Sequence, residues 1–161
     1  MSADIDLLVA RLADRLRARG AMLATAESCT GGLIAAACTA LAGSSDWFER
    51  GFVTYSNAAK TELLGVDAAL IAAHGAVSEP VARAMAAGAV RHSRAQAAVA
   101  VTGVAGPGGG SADKPVGTVW FGWQIDGRLR AERRRFDGDR AAVRAATVVH
   151  ALRTLVDTLE A

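Results

Sequence analysis

Ile5, Leu8, Val9, Leu12 and Leu16 recur at intervals of three and four, and Gly20 ends the run. That period predicts an amphipathic helix with one apolar stripe. Ala21–Thr25 then reads as a short strand, and Leu33–Leu41 as an Ala- and Thr-rich helix. Gly51–Tyr55 predicts a second strand through Phe52, Val53 and Tyr55. Ser56-Asn57 is a cap signal for a helix over Ala58–Leu64. Another helical piece covers Asp67–Ala73. Ser78-Glu79-Pro80 opens a helix reaching about His92, with Val81, Met85 and Ala89 on one face. Ala97–Val101 is a continuous run of small apolar residues, the pattern of a buried parallel strand. Gly117–Ile125 alternates, with Val119, Phe121, Trp123 and Ile125 on one face. Asp126-Gly127 is a two-residue hairpin signal, and Arg128–Phe136 returns antiparallel. Asp137 or Asp139 caps a last helix whose stripe is Val148, Leu152, Leu155, Val156 and Leu159.

The order αβαβαααβββα predicts an α/β fold with a mixed sheet and helices on both faces. With 161 residues the chain is expected to form one domain, 1–161, large enough for a real core. It is 52% apolar but only 5% aromatic, so that core should pack small side chains tightly. There is no internal repeat, linker or low-complexity segment. A net charge of +2 is too small to argue for nucleic acid. The five arginines of 128–135 read instead as a charged edge strand that discourages sheet-to-sheet association. No apolar run approaches membrane-spanning length, and the mixed-charge N-terminus lacks a signal-peptide pattern. Cys29 and Cys38 are expected to be reduced, buried thiols in a cytoplasmic protein. The three His are scattered, so no metal site is expected, and His74 reads as a loop-stabilising residue.

Two stretches carry candidate chemistry. Ala24-Thr-Ala-Glu-Ser-Cys-Thr-Gly-Gly32 joins a strand to a helix and holds a carboxylate (Glu27), two hydroxyls (Ser28, Thr30) and a thiol (Cys29). Turns of this kind sit at the mouth of an α/β sheet, where ligands bind. Gly31 and Gly32 permit a sharp bend or close backbone approach. The plain alternative is a helix start capped by Ser28 or Thr30. The second stretch, Gly103-Val-Ala-Gly-Pro-Gly-Gly-Gly-Ser111, follows the buried strand and offers backbone N–H groups to an anion. It matches neither the P-loop nor the dinucleotide fingerprint. Lys60 stands in the first turn of its helix, where the dipole disfavours a protonated amine.

Several long motifs occur in one order. They are Thr25-Ala-Glu-Ser-Cys-Thr-Gly-Gly32, Gly43-Ser-Ser-Asp-Trp-Phe48, Gly51-Phe-Val-Thr-Tyr-Ser-Asn57 with Lys60, and His74-Gly-Ala-Val-Ser78. Val101-Thr-Gly-Val-Ala-Gly-Pro-Gly-Gly-Gly110 and Pro115-Val-Gly-Thr-Val119 complete the set. With them the chain resembles the CinA C-terminal domain family, the competence- or damage-inducible proteins that include nicotinamide-nucleotide amidases. The resemblance covers about residues 20–125. It implies a three-layer α/β/α sandwich with a mixed, mostly parallel sheet, similar in topology to anticodon-binding domains. It also implies hydrolysis of the carboxamide of nicotinamide mononucleotide, giving nicotinate mononucleotide and ammonia in pyridine-nucleotide recycling. No cofactor, no metal, no membrane partner and a homodimer are implied with it. Larger family members carry an extra N-terminal domain, for which this chain is expected to have no room.

Amide hydrolysis needs a nucleophile, a base and an oxyanion site. There is no Ser-His-Asp set, and a Ser–Lys pair fits. Lys60 is the expected base, with Ser45 or Ser28 as the hydroxyl it activates. Tyr55 is expected to relay or orient protons, and Thr102 with the N–H groups after Ser28 to hold the oxyanion. Gly106, Gly108, Gly109, Gly110 and Arg140 are expected to bind the phosphate. Glu27, Thr30, Gly31 and Gly32 are expected at the substrate. Cys29 is a less favoured nucleophile. The competing classes are a nucleotide sensor without chemistry and a nucleic-acid-binding module. The second lacks exposed aromatics interleaved with its basic residues.

Overall fold

A computed structural model describes residues 2–161. Helix α1 (Ala3–Arg19) is capped by Ser2, whose hydroxyl accepts from the Ile5 amide, and it ends at Gly20 in the left-handed region (φ 61°). There follow β1 (Leu23–Glu27), α2 (Leu33–Thr39), a single 3-10 turn (Ser44–Asp46), β2 (Phe48–Val53), α3 (Asn57–Leu64), α4 (Ala68–His74) and α5 (Glu79–Arg91). Then β3 (Ala97–Gly103), β4 (Thr118–Ile125), β5 (Arg128–Arg135) and α6 (Arg140–Glu160) complete the chain. The expected element order holds. Two strand positions do not. The Ala21 amide is used to close α1, bonding to the Leu16 carbonyl, so β1 starts at Leu23 and ends on Glu27. The Leu23 amide bonds to the Trp47 carbonyl, so β2 starts at Phe48 and is over before Tyr55.

The sheet order is β2-β1-β3-β4-β5. β1 pairs parallel with both β2 and β3, and β4 pairs antiparallel with both β3 and β5. Four strands therefore run one way and β4 runs against them, a mixed and mostly parallel sheet. Glu27 lies opposite Val53 on one side and Val101 on the other, so the three parallel strands finish at the same edge. Loops that leave this edge build a crevice in open α/β sheets.

The pleat divides the core in two. Leu23, Ala97, Val99, Val101, Val119, Phe121, Trp123 and Ile125 face α1, α2 and α6. Ala24, Ala26, Ala98 and Ala100 face α3, α4 and α5. The second face is nearly all alanine, which lets α5 lie close to the strands. A Cβ on Gly122 would stand 2.4 Å from the Ala82 carbonyl oxygen, and one on Gly88 would stand 2.1 Å from that of Leu64. β5 covers one flank and leaves its own outer edge unpaired, with Arg128, Arg130 and Arg133 to Arg135 exposed. No helix among the described residues is long and apolar enough to cross a membrane.

Gly88 lies inside α5, where alanine ordinarily stabilises a helix by about 1 kcal/mol. Here the added methyl meets backbone, and overpacking of this kind costs about 1–3 kcal/mol. Gly88→Ala is therefore expected to lower the denaturant midpoint. A raised midpoint would show that α3 and α5 can part freely.

Candidate active site

Glu27 ends β1 wholly buried. Thr30 donates its hydroxyl to Oε1, and the Ile34 and Ala35 amides donate to Oε1 and Oε2 at 2.9 and 3.0 Å. The carboxylate thus satisfies two orphan donors at the start of α2. Neither Ser28 nor Thr30 caps that helix; Gly32 occupies the cap position without a side-chain bond, at φ 112°. Gly31 also has positive φ, 59°, so the turn winds through two left-handed residues. None of Glu27, Thr30, Gly31 and Gly32, which are expected at the substrate, lines the cavity at this end of the sheet. Glu27 and Thr30 are buried because β1 runs two residues past Thr25, whereas Gly31 is exposed at the turn. From the other side Arg144 of α6 donates through Nε to the Cys29 carbonyl at 3.2 Å and through Nη2 to that of Thr30 at 3.1 Å.

In front of this frame lies a cavity of about 300 Å³, lined by Ser28, Cys29, Tyr55, Asn57, Lys60, Thr102, Arg140 and the loops after β3 and α4. Lys60 enters it from α3. Its ammonium nitrogen Nζ stands 3.0 Å from Ser28 Oγ and 2.7 Å from the Thr54 carbonyl oxygen. The side chain is 1% exposed. Burial pushes its pKa below the usual lysine value, and the neighbouring Cys29 only partly opposes that. A neutral amine can donate one hydrogen to Thr54 and accept the Ser28 hydroxyl hydrogen, which is the arrangement of a base poised beside a nucleophile.

The Gly-rich segment forms the opposite wall with Gly106, Gly108, Gly109 and Gly110. Arg140, the first residue of α6, donates to the Gly106 carbonyl at 2.8 Å and to the Tyr55 hydroxyl at 2.9 Å. A cation at a helix N-terminus opposes the dipole, so this placement needs a local reason. The two acceptors and the open cavity supply one. Thr102 lines the cavity, but its hydroxyl donates to the Ala76 carbonyl at 3.0 Å. In this arrangement the Thr102 hydroxyl hydrogen, expected at the oxyanion, is used to hold the α4–α5 loop.

Ser45 stands elsewhere. It lies exposed in the 3-10 turn before β2, at the end of the sheet where the parallel strands begin. It does not line the cavity, and the Ser45–Lys60 pairing is corrected in favour of Ser28. Cys29 is 6% exposed, and burial pushes its thiol up to about 11, which keeps it protonated near neutrality. Asn57, Ala76, Val77 and Arg144 were not singled out by sequence reasoning. Asn57 follows the cap residue Ser56 and so faces the cavity from the first turn of α3, a position visible in the Ser-Asn signal. Nothing local marks Arg144, which acts across 114 positions. No cluster of three or more His, Cys, Asp or Glu suited to a metal occurs among the described residues.

Glu27→Ala strands the Ile34 and Ala35 amides behind the site. Unpaired buried donors cost about 1–3 kcal/mol each. Unfolding free energy is expected to fall by about 3 kcal/mol or more, measured by denaturant titration. A loss below about 1 kcal/mol would mean that water replaces the carboxylate.

The CinA C-terminal domain matches residues 6–159. A protein of Pseudomonas putida named nicotinamide-nucleotide amidohydrolase PncC is 57% identical over 148 residues, 92% of each chain. The Escherichia coli K12 protein of the same name is 56% identical over 141 residues, 87% of this chain and 86% of that one. The crystal structure of a competence/damage-inducible protein from Agrobacterium tumefaciens, 48% identical, superposes with a TM-score of 0.94 over 100% of this chain and 98% of its own. The expected family and the three-layer mixed sheet are thereby established. The chain belongs to the CinA C-terminal domain family.

Proposed function

We propose that this protein hydrolyses the carboxamide of nicotinamide mononucleotide to nicotinate mononucleotide and ammonia, with Ser28 as nucleophile and Lys60 as base. The observation that carries the mechanism is the buried Lys60 Nζ at 3.0 Å from Ser28 Oγ. The substrate class follows from the relatives' shared name, nicotinamide-nucleotide amidohydrolase.

In the first half-reaction Ser28 Oγ attacks the carboxamide carbon while its proton passes to Lys60 Nζ. The carbonyl oxygen takes the negative charge. The amides of Cys29 and Thr30 follow Ser28 in the chain and have no backbone partner, which an oxyanion donor requires. The tetrahedral intermediate collapses, the C–N bond breaks, and the proton on Lys60 goes to the leaving nitrogen as ammonia departs. An ester on Ser28 remains. Water then attacks the ester, gives its proton to Lys60, and the C–O bond to Ser28 breaks with return of that proton to Oγ. The free carboxylate of nicotinate mononucleotide is released. Arg140 and the Gly106–Gly110 loop bind the phosphate, and Tyr55, bonded to Arg140, orients it. On the family resemblance the enzyme works in the cytoplasm as a homodimer.

Ammonia release from nicotinamide mononucleotide tests the reading. Lys60→Ala and Ser28→Ala are each expected to lose about two to four orders of magnitude in kcat with the fold intact. Ser45→Ala is expected to turn over like the parent. Near-normal rates in Ser28→Ala would overturn the assignment of the nucleophile.

The pH dependence has a definite sign. Lys60 must be neutral to accept a proton, and burial lowers its pKa from the ordinary 10.5. The rate is expected to rise with pH along an acid limb whose midpoint lies below 10.5. A pH-independent rate across that limb would argue against Lys60 as the base.

A further inference from the structure

The two facing walls of the cavity come from separate loops. One is the α4–α5 loop, which contributes Ala76 and Val77; the other is the long β3–β4 loop, which contributes Gly106, Gly108, Gly109 and Gly110. The side chain of Lys114 joins them. Lys114 Nζ donates to the His74 carbonyl at 2.7 Å, across 40 positions. His74 is the last residue of α4, where exposed carbonyls and the helix dipole favour a cation.

Both partners are shaped for this contact. A Cβ on Gly75 would stand 2.8 Å from Lys114 Nζ, and Gly75 has φ 77° and ψ 160°, a conformation almost reserved to glycine. On the other loop the Lys114 amide donates to Ser111 Oγ at 3.1 Å, and the Ser111 amide donates to the Lys114 carbonyl at 2.9 Å. That reciprocal turn fixes the base of the lysine. The loop then folds back on itself: a Cβ on Gly110 would meet the Val116 amide nitrogen at 3.1 Å, and one on Gly106 would meet Val116 Cγ1 at 2.5 Å. The position of Lys114 is therefore carried to the glycines that line the cavity. Arg140 anchors the loop at Gly106, and Thr102 anchors Ala76. Lys114 is the bond that ties the two anchored walls to each other.

We propose that Lys114 is a positioning residue, a clasp whose bond to the His74 carbonyl sets the spacing of the two walls of the substrate cavity. The inference rests on the reading of that cavity as the substrate site. Lys114 does not line the cavity, so its effect passes through Gly108–Gly110. Without the clasp the glycine loop must be ordered at each binding event, and that cost appears in affinity. The Ser28–Lys60 geometry is built on β1 and α3 and does not depend on it.

Lys114→Met keeps the stem and removes the donor. It is expected to raise KM for nicotinamide mononucleotide about tenfold while kcat stays within about twofold. Lys114→Arg, which can still donate to the carbonyl, is expected to recover most of the KM. Amide hydrogen exchange, followed without substrate, is expected to speed up at residues 108–114 in Lys114→Met and to stay unchanged in β4 and α6. Unchanged exchange in the loop, or equal losses in kcat and kcat/KM, would overturn the clasp. If the parent protein released no ammonia, the functional reading would fall, and the exchange rates alone would decide whether Lys114 holds the loop.

Discussion

A lysine amine buried without a carboxylate partner is the constraint around which the site is arranged. Removing a charged amine from water costs several kcal/mol when nothing pairs it, so burial shifts the balance toward the neutral form. Lys60 meets a carbonyl and a hydroxyl, both of which a neutral amine can satisfy. An aspartate at Thr54 or Ser28 would make a tidier ion pair and would hold the proton on nitrogen. The acid that is near, Glu27, already accepts from Thr30, Ile34 and Ala35. The fold thus keeps a carboxylate beside Ser28 and directs its lone pairs to Thr30 and α2. Burial alone then lowers the pKa of Lys60.

The frame around that pair relies on cations donating to backbone carbonyls. Arg144 holds Cys29 and Thr30, and Arg140 holds Gly106 together with the Tyr55 hydroxyl. The two arginines lie four apart and share one face of α6. One long helix therefore fixes the turn that bears Ser28 and the loop that faces it. Carbonyl anchoring suits a glycine-rich segment, which has no side chains to pack. It leaves the amides of the same loops free to meet an anion. The surface pairs, such as Arg83 with Glu79 or Arg11 with Glu160, add little by comparison, because exposed ion pairs are screened and ordered at a cost.

Much of the architecture was legible because each element carries its own period and its own stop signal. The α1 stripe ends at a glycine that caps it, and the Asp126-Gly127 turn joins β4 to β5. The starts of β1 and β2 were misplaced by two or three residues for a specific reason. Alanine and glycine do not mark a strand edge; the local cap of α1 uses the Ala21 amide, and the bond from Leu23 to Trp47 depends on a tertiary neighbour. The same shift moves Glu27 from the turn to the strand. In sequence it stands one residue before Ser28, in the chemistry-rich turn. In space it is the last residue of a strand with its side chain on the core face. Lys60, Ser28 and the glycine loop were legible because strand ends and helix starts converge on one edge. Ser45 was an equal candidate on residue type alone, and only the direction of β2 separates the two serines.

Why a lysine from α3, and not a histidine, reaches the serine follows from the packing of that face. The strands there carry alanine at 24, 26, 98 and 100, so the helices sit near the sheet and leave a narrow passage. An extended four-carbon stem crosses such a passage with its apolar length in contact with the core and only its tip polar. Leu64, one turn further along α3, is wholly buried. An imidazole is shorter and broader, and its ring does not reach as far from α3 as the lysine stem. On the proposed reading of Lys60 as base, this packing desolvates the amine and holds its nitrogen at the end of β1, between Ser28 and the Thr54 carbonyl.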